Sequence, residues 1–409
     1  MLIRNKFKVL TGALIIGVSA ALSTPALAAS ETMMNLLSIL RDKGSISQDE
    51  YNALVHAAQT EEAQAKHTES GNTAAKGWWD KTKISGRMYY NMSYINNKQE
   101  GARQPNSGTG FDVKRFYVSI DHKFTDMFSA DVTTDFTYDS GPSGATQLFI
   151  KKAYLDAKIS DALDIRLGST DLPWVPFVEG LYGHRYIENI MIDRTKFGTS
   201  ADWGLHLKGK LIGGRLNYAF SVINGSGYKH PGVHTNAMDF EGRVSTNWNH
   251  FVLGLGGYVG KLGQDKEGSV NYHTAKRLDV IGAYVDDQIR AGVEYFRAWD
   301  WKNVATPTSD TAEGVSVFAS YQFDPLWGVF GRYDYVKPTK DTNSSLKDNY
   351  FNVGVSYTPA KIVDFSLVYK RDRIGDGSWG TSNGTIGGLT ATTGSGTYDE
   401  VGLFSRFRW

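Results

Sequence analysis

The strongest constraint on this chain is a period-two alternation of apolar and polar residues that starts at Lys83 and returns in about sixteen segments up to Trp409. In KISGRMYYNMSY, Ile84, Met88, Tyr90, Met92 and Tyr94 share one face, while Arg87, Asn91 and Ser93 share the other. RFYVSID and FSADVTTDF repeat the pattern with Phe116, Val118 and Ile120, then with Phe128, Ala130, Val132 and Phe136. Successive side chains of an extended strand point to opposite faces, so each segment reads as an amphipathic strand. Others follow at AYLDAKI, LDIRLG, WGLHLKG, RLNYAFSV, FEGRVST, FVLGLGG and LDVIGAYV. The series closes with IRAGVEYF, VSVFASY, WGVFGRY, FNVGVSY, VDFSLVY and VGLFSRFRW.

The connections alternate as well. Every second one is short (KFTDM, ISDA, LIGG, WNH, DDQ, FDP, TPAK), and those between are long and rich in Gly, Asn, Asp and Thr, such as NKQEGARQPNSGTG. A soluble sandwich has no reason to keep every long loop at one end. Strands of ~10 residues joined in turn by short turns and long loops are the mark of a transmembrane barrel. In hydrocarbon every backbone N–H and C=O must be paired, which for strands only a closed sheet achieves. Tyr and Trp at strand ends, among them Tyr94, Trp203, Tyr258, Tyr321, Trp327, Tyr357 and Trp409, suit interfacial aromatic girdles. The fold class expected is all-β: a transmembrane antiparallel β-barrel of about sixteen strands over residues 83–409. Ending on Phe407 and Trp409, the last strand resembles the C-terminal signature of bacterial outer-membrane proteins that the assembly machinery reads. It is expected to close the barrel against KISGRMYY.

Ahead of the barrel the pattern is different. Arg4, Lys6 and Lys8 precede the apolar run VLTGALIIGVSAAL, and Ala26-Leu27-Ala28 fits a small-x-small cleavage site, so residues 1–28 read as a signal peptide. Its removal takes away three cations and no acid, which moves the formal charge from +1 to −2. Residues 29–66 place Met33, Leu36, Leu37 and Leu40 at helical spacing before Gly44, a natural C-cap. Ser47 and Glu50 then form a capping box ahead of Tyr51, Leu54, Val55 and Ala58. A periplasmic helical hairpin or coiled-coil segment is expected there, as a spacer or oligomerisation element, with a polar linker over 67–82. The chain has no cysteine and therefore no disulfide framework.

A barrel of about sixteen strands encloses an aqueous channel rather than a filled core. On the face opposite the apolar one, Arg87, Arg115, Lys152, Arg166 and Arg332 stand among about twelve basic residues, and Asp131 and Asp135 among about eleven acids. Charge confined to one parity means a wet lumen, with the two signs nearly balanced. The third long loop, STDLPWVPFVEGLYGHRYIENIMIDRTKFGTSAD, stands out. With Trp174, Phe177, Leu181, Tyr182, Ile187, Ile190, Met191 and Phe197 it would make a poor solvent-exposed flap. Folded inward, it would cover the wall with these residues. Glu179, Arg185, Glu188, Asp193, Arg194 and Lys196 would then line a constriction opposite Arg87, Arg115 and Lys152. Capping the mouth or reaching a neighbouring subunit is the competing reading.

Several classes of function lack their signatures. Lysine plus arginine (44) nearly cancels aspartate plus glutamate (43), which argues against a nucleic-acid partner. No H-E-x-x-H, G-x-S-x-G or phosphate-cradling loop occurs, and His230 and His234 bracket Pro231-Gly232 in a loop, which argues against a helical metal pair. No catalytic residue, metal or cofactor is expected.

The stub LLSILRDKGSISQDEYNALVHAA, the strand pair KKAYLDAKISDALDIRLGSTDLPWVPF and the terminal RFRW together resemble the phosphate-selective porin O and P family of Gram-negative bacteria. The resemblance implies a homotrimeric outer-membrane channel with a periplasmic N-terminal extension and an inward third loop. Its best-studied members select anions with an arginine ladder and a lysine cluster. The expected function is passive passage of small hydrophilic solutes or ions, with an anion or phosphate lean. A carbohydrate-type porin, or a surface adhesin or structural barrel without transport, is the alternative. Expected partners are outer-membrane lipid, the outer-membrane assembly machinery, further copies of the chain and small anions or other hydrophilic solutes.

Overall fold

The computed structural model of the chain describes residues 77–138 and 146–409, together with Ser38, residues 41–43, Tyr51, Asn52 and Val55. Residues 1–76 and 77–409 are separate compact units. In the first, Ser38, Arg41, Asp42, Tyr51, Asn52 and Val55 are helical, and the Arg41 guanidinium lies 4.7 Å from the centre of the Tyr51 ring. The expected signal peptide, most of the expected helical hairpin and most of the expected linker fall outside the described residues.

Sixteen long strands make the second unit. They begin with β1 (Thr82–Gln99), β2 (Gly108–Lys123), β3 (Phe128–Tyr138), β4 (Thr146–Ser160) and β5 (Leu163–Asp171). Next come β6 (Ala201–Leu211), β7 (Leu216–Ile223), β8 (Asp239–Trp248), β9 (Phe251–Gly260) and β10 (Ala275–Val285). The last six are β11 (Ile289–Trp299), β12 (Thr311–Gln322), β13 (Trp327–Lys337), β14 (Lys347–Ala360), β15 (Val363–Gly375) and β16 (Ser395–Arg408). Each pairs antiparallel with the next, and β1 pairs with both β2 and β16, so the sheet closes. All sixteen segments read from the alternation are strands, and the short and long connections fall at opposite ends.

The alternation is inverted relative to a soluble sheet. On β14 the covered members are Asp348, Tyr350, Asn352, Gly354 and Ser356, while Val353 and Val355 face out. Leu253, Leu255 and Leu367 are 60%, 56% and 62% exposed on the outer wall. An aliphatic side chain left in water forgoes ~1.5–3 kcal/mol relative to burial. A continuous outer band of them is stable in hydrocarbon.

The C-terminus ties the seam. Gly86 N–H donates to the Trp409 carbonyl at 3.0 Å, and Trp409 N–H returns to the Gly86 carbonyl at 3.2 Å. The indole lies over Gly86, where a Cβ would come within 2.0 Å of the ring.

Loop 3, residues 172–200, turns inward. It carries two helices, α1 (Val175–Tyr182), with Pro176 in its first turn, and α2 (Met191–Arg194). Gly183 ends α1 with φ 79°, a left-handed conformation that glycine adopts without penalty. Trp174, Val178, Ile190, Met191, Ile192 and Phe197 are buried against Tyr258, Ile281, Phe296, Ala312, Phe318 and Val336 of the inner wall. The Trp174 ring packs against the backbone of β9 at Gly256, where a Cβ would lie 2.4 Å from it. Trp174 also donates through its backbone N–H to Glu241 at 3.0 Å and through Nε1 to Glu294 at 2.9 Å.

Gly256→Leu should therefore expel the base of loop 3 and destabilise the barrel by ~1–3 kcal/mol, the usual range for overpacking. Limited trypsin digestion checks this. Cleavage after Arg185 or Lys196 should appear in the variant, with the wild type resistant.

Candidate functional site

The open space inside the barrel is split by loop 3 into two vestibules. The one on the turn side has a volume of about 670 Å³ and the one on the loop side about 900 Å³. Arg185 is the one side chain among the described residues that lines both. Its Nε donates to Glu179 at 2.5 Å, and Asp193 lies 3.7 Å away. These three are half-buried at the surface of the loop and face the open lumen.

Across from them, two β-bulges shape the wall. Between Tyr89 and Tyr90 the register of β1 on β2 shifts by one, so that Lys114 as well as Arg115 turns inward. The same irregularity between Thr133 and Thr134 turns Lys151 inward beside Lys152. An extra residue in one strand of an antiparallel pair breaks the strict alternation, which is how two consecutive side chains come to share the lumen. Lys114 Nζ donates to the Ile187 carbonyl of loop 3 at 3.3 Å and sits 4.8 Å from the Phe404 ring. Lys151 Nζ donates to the Tyr117 hydroxyl at 3.3 Å. Arg115 is paired with Asp135 at 2.9 Å, and Lys152 with Asp171.

The acids that line the vestibules are mostly committed. Asp171, Glu179, Asp193, Asp364, Glu188 and Glu400 each have a Lys or Arg partner within 4.0 Å. Asp112, Asp286 and Asp287 stand outside such pairs. Among the described residues, no carboxylate lies within ion-pair distance of Arg87, Lys114, Lys151, Lys196, Lys229 or Arg290. The lumen charges nearly cancel in number, but among the described residues the six bases without a carboxylate partner outnumber the three acids outside ion pairs.

The structure corrects three assignments. Arg194 does not line a constriction: it is fully buried, 3.1 Å from Asp334, 3.1 Å from Asp348 and 2.9 Å from Asp372, with the Tyr350 ring 4.4 Å away. Glu188 reaches the edge of the loop-side vestibule but is almost wholly covered, bound to Lys370 at 3.1 Å and accepting from Ser382 at 2.7 Å. Burial alone would push its carboxyl up, but Lys370 and Lys114 hold it well below the usual range. Arg332 lies beneath loop 3 between the Tyr182 and Tyr350 rings, bound to Asp334 at 2.8 Å. Arg332 does lie on the inward face of its strand, but loop 3 packs over that stretch of wall, and Arg194 and Glu188 lie on the covered side of the loop. Burying these charges without partners would be costly, so they occur as pairs.

The other assigned residues divide as follows. Arg87 and Lys152 line the turn-side vestibule with Glu179, and Arg115 lines the loop-side one with Asp193 and Lys196. Arg166, Asp131 and Asp135 face inward but are held in wall contacts, Arg166 to Asp156 at 2.6 Å and Asp131 to Thr133 at 3.0 Å. Sequence reading passed over Lys114 and Lys151 because strict parity points them at lipid. It passed over Asp348 and Asp372 because β14 and β15 were taken too short at the loop end. Among the described residues no group of three or more His, Asp or Glu side chains is placed to hold a metal ion.

His184 adds a pH dependence. Its ring stacks on Phe330 at 4.2 Å, and burial pushes its pKa down to about 4 from 6.5. A depressed histidine favours the folded state fully above pH 6.5, and this contribution is lost as the pH falls toward 4. His184→Phe, which keeps a stacked ring, should flatten that part of the stability profile, read as the urea midpoint at pH 7 and pH 5. Removing Arg194 is a harsher test. Arg194→Met leaves buried carboxylates short of a cation and should cost ~3–5 kcal/mol in urea unfolding. Adding Asp372→Asn should restore part of it.

No family model matches the chain, and no curated protein sequence does. Solved structures do. An anion-selective porin from Comamonas acidovorans matches with a TM-score of 0.58 at 13% identity, over 80% of this chain and 99% of that one. OmpT, an outer membrane protein of Vibrio cholerae, in a trimer form, matches at 0.55 and 13% identity, over 80% and 99%. The outer membrane channel DcaP of Acinetobacter baumannii matches at 0.55 and 14% identity, over 80% and 97%. At such identities the likeness is one of fold: this barrel has the architecture of these outer-membrane proteins.

Proposed function

We propose that the chain is an outer-membrane porin, a passive water-filled channel whose selectivity arises where loop 3 meets the β1–β4 wall, and that it prefers anions. The observation that carries the preference is the row of basic side chains without carboxylate partners. It runs from Lys196, Lys229 and Lys114 on the loop side to Lys151, Arg87 and Arg290 on the turn side, with the carboxylate-paired Arg115 and Arg185 between them. A wall lined by one sign of charge between low-dielectric surfaces raises the local concentration of counter-ions. Small anions and anionic hydrophilic solutes are the class it would pass; a phosphate lean is the narrower form of the same reading.

The fold shared with an anion-selective porin and an outer membrane channel supports this placement, and the trimer form of OmpT supports assembly of three copies. Residues 1–28 would be removed on export, residues 29–66 would stand in the periplasm, and the terminal Phe407 and Trp409 would be read during assembly.

Single-channel recording in a planar bilayer under a KCl gradient tests the reading with Arg185→Glu. A unit charge ~4 Å from a passing ion is worth about 1 kcal/mol in bulk water, so reversing its sign is worth up to about 2 kcal/mol. After screening, the anion-to-cation permeability ratio should fall roughly three- to tenfold. An unchanged ratio would remove Arg185 from the filter.

A further inference from the structure

Outside the lumen, the loop end of the outer wall carries a second set of basic residues. Arg371 and Arg373 alternate with covered Asp372 and Ile374 on β15, so both point outward. By the same alternation Lys347 on β14, Lys337 on β13, Arg297 on β11 and Lys98 on β1 face out. They lie in lateral register. Arg373 pairs with Asn349 on one side and Thr397 on the other, and Thr397 pairs with Lys98. Arg297 and Lys337 flank Glu313. Toward the membrane centre the wall presents Tyr94, Tyr295 and Tyr333, exposed aromatics of the kind that mark the interface. The Nε of Arg297 is shielded from solvent and has no hydrogen-bond partner among the described residues.

The arc is one-sided. From β2 to β9 no strand lysine or arginine among the described residues takes an outward position at the loop end. There the outward positions near the rim carry Phe111, Leu148 and Phe240, with only the neutral Thr109 and Thr146 beyond the first two.

We propose that the arc from β11 through β16 to β1 is a binding surface for phosphorylated glycolipid, the lipid whose head groups carry phosphate monoesters in the leaflet on the loop side. Long basic side chains at the edge of the hydrocarbon lay their stems on apolar surface and hold their charge at head-group level. A phosphate monoester bears up to two negative charges, and an arginine fork can take it in two parallel hydrogen bonds. Asp399 offsets only Arg371, at 3.6 Å, and Glu313 is taken up by Lys340, at 2.6 Å, outside the arc. The surface depends on the barrel sitting in a membrane with its loops outside, not on what the lumen conducts.

The test is native mass spectrometry of the purified, folded full chain with diphosphoryl lipid A, with phosphatidylglycerol and phosphatidylcholine as competitors. Lipid A should be retained in preference to both. The combined variant Lys337→Gln, Lys347→Gln, Arg371→Gln and Arg373→Gln should weaken retention by about tenfold or more. Lys123→Gln with Lys158→Gln, at the turn end, should leave it as in the wild type. If the fourfold variant fails to fold, the two pairs Lys337/Lys347 and Arg371/Arg373, replaced separately, should each lose part of the retention. Equal binding by wild type and variants would overturn the proposal, as would phosphatidylglycerol held as tightly as lipid A. So would a variant that changes oligomer size and not lipid binding, because the arc would then face another copy. A wild-type barrel that conducts nothing would contradict the channel reading and leave this measurement intact.

Discussion

The buried guanidinium of Arg194 is the interaction on which the interior depends. It holds α2 against β13, β14 and β15 through Asp334, Asp348 and Asp372 at once. With Arg332 also on Asp334, the cluster sets two cations against three carboxylates in a site closed to water. An ion pair so buried contributes little net stability relative to an apolar substitute, because desolvation offsets the attraction. What it supplies is position, since few other geometries of the loop satisfy all these groups. Glu188 with Lys370, and Trp174 between Glu241 and Glu294, add two more polar anchors along the same loop.

That anchoring decides the electrostatics of the passage. The barrel puts acids and bases on its inner face in almost equal numbers, which alone would make a lumen of little preference. Loop 3 packs over the stretch where much of the acid lies, and each covered carboxylate finds a partner there. The wall left open, β1 to β4, has its bases doubled by bulges at Lys114–Arg115 and Lys151–Lys152. Position of the loop and register of two strand pairs, rather than net charge, make the open channel basic. The loop is braced from the mouth as well: Trp379 stacks on Phe197 at 5.6 Å and donates to the Thr195 carbonyl at 3.1 Å.

Much of this could be read from the chain. Period-two alternation is a direct imprint of the pleat, so the sixteen strands, their closure and the loop that folds inward followed from residue order. What could not be read is whatever breaks the period or depends on contact across the lumen. A bulge shifts parity by one residue and leaves no signature in Lys114 or Lys151 themselves. Arg194 and Arg185 are both arginines of one loop. Which is buried and which is open is settled by partners on β13 to β15, more than a hundred residues away in sequence. Arg332 was assigned to the right face, but that face is hidden.

The most direct test of the account is a crystal of the barrel soaked in bromide and, separately, in rubidium, with ion positions taken from anomalous scattering. The account predicts bromide beside Arg185 and Arg115 and along Lys151 and Arg87, with rubidium absent from that row. Rubidium at Glu179 and Asp193, with no bromide between the vestibules, would contradict it.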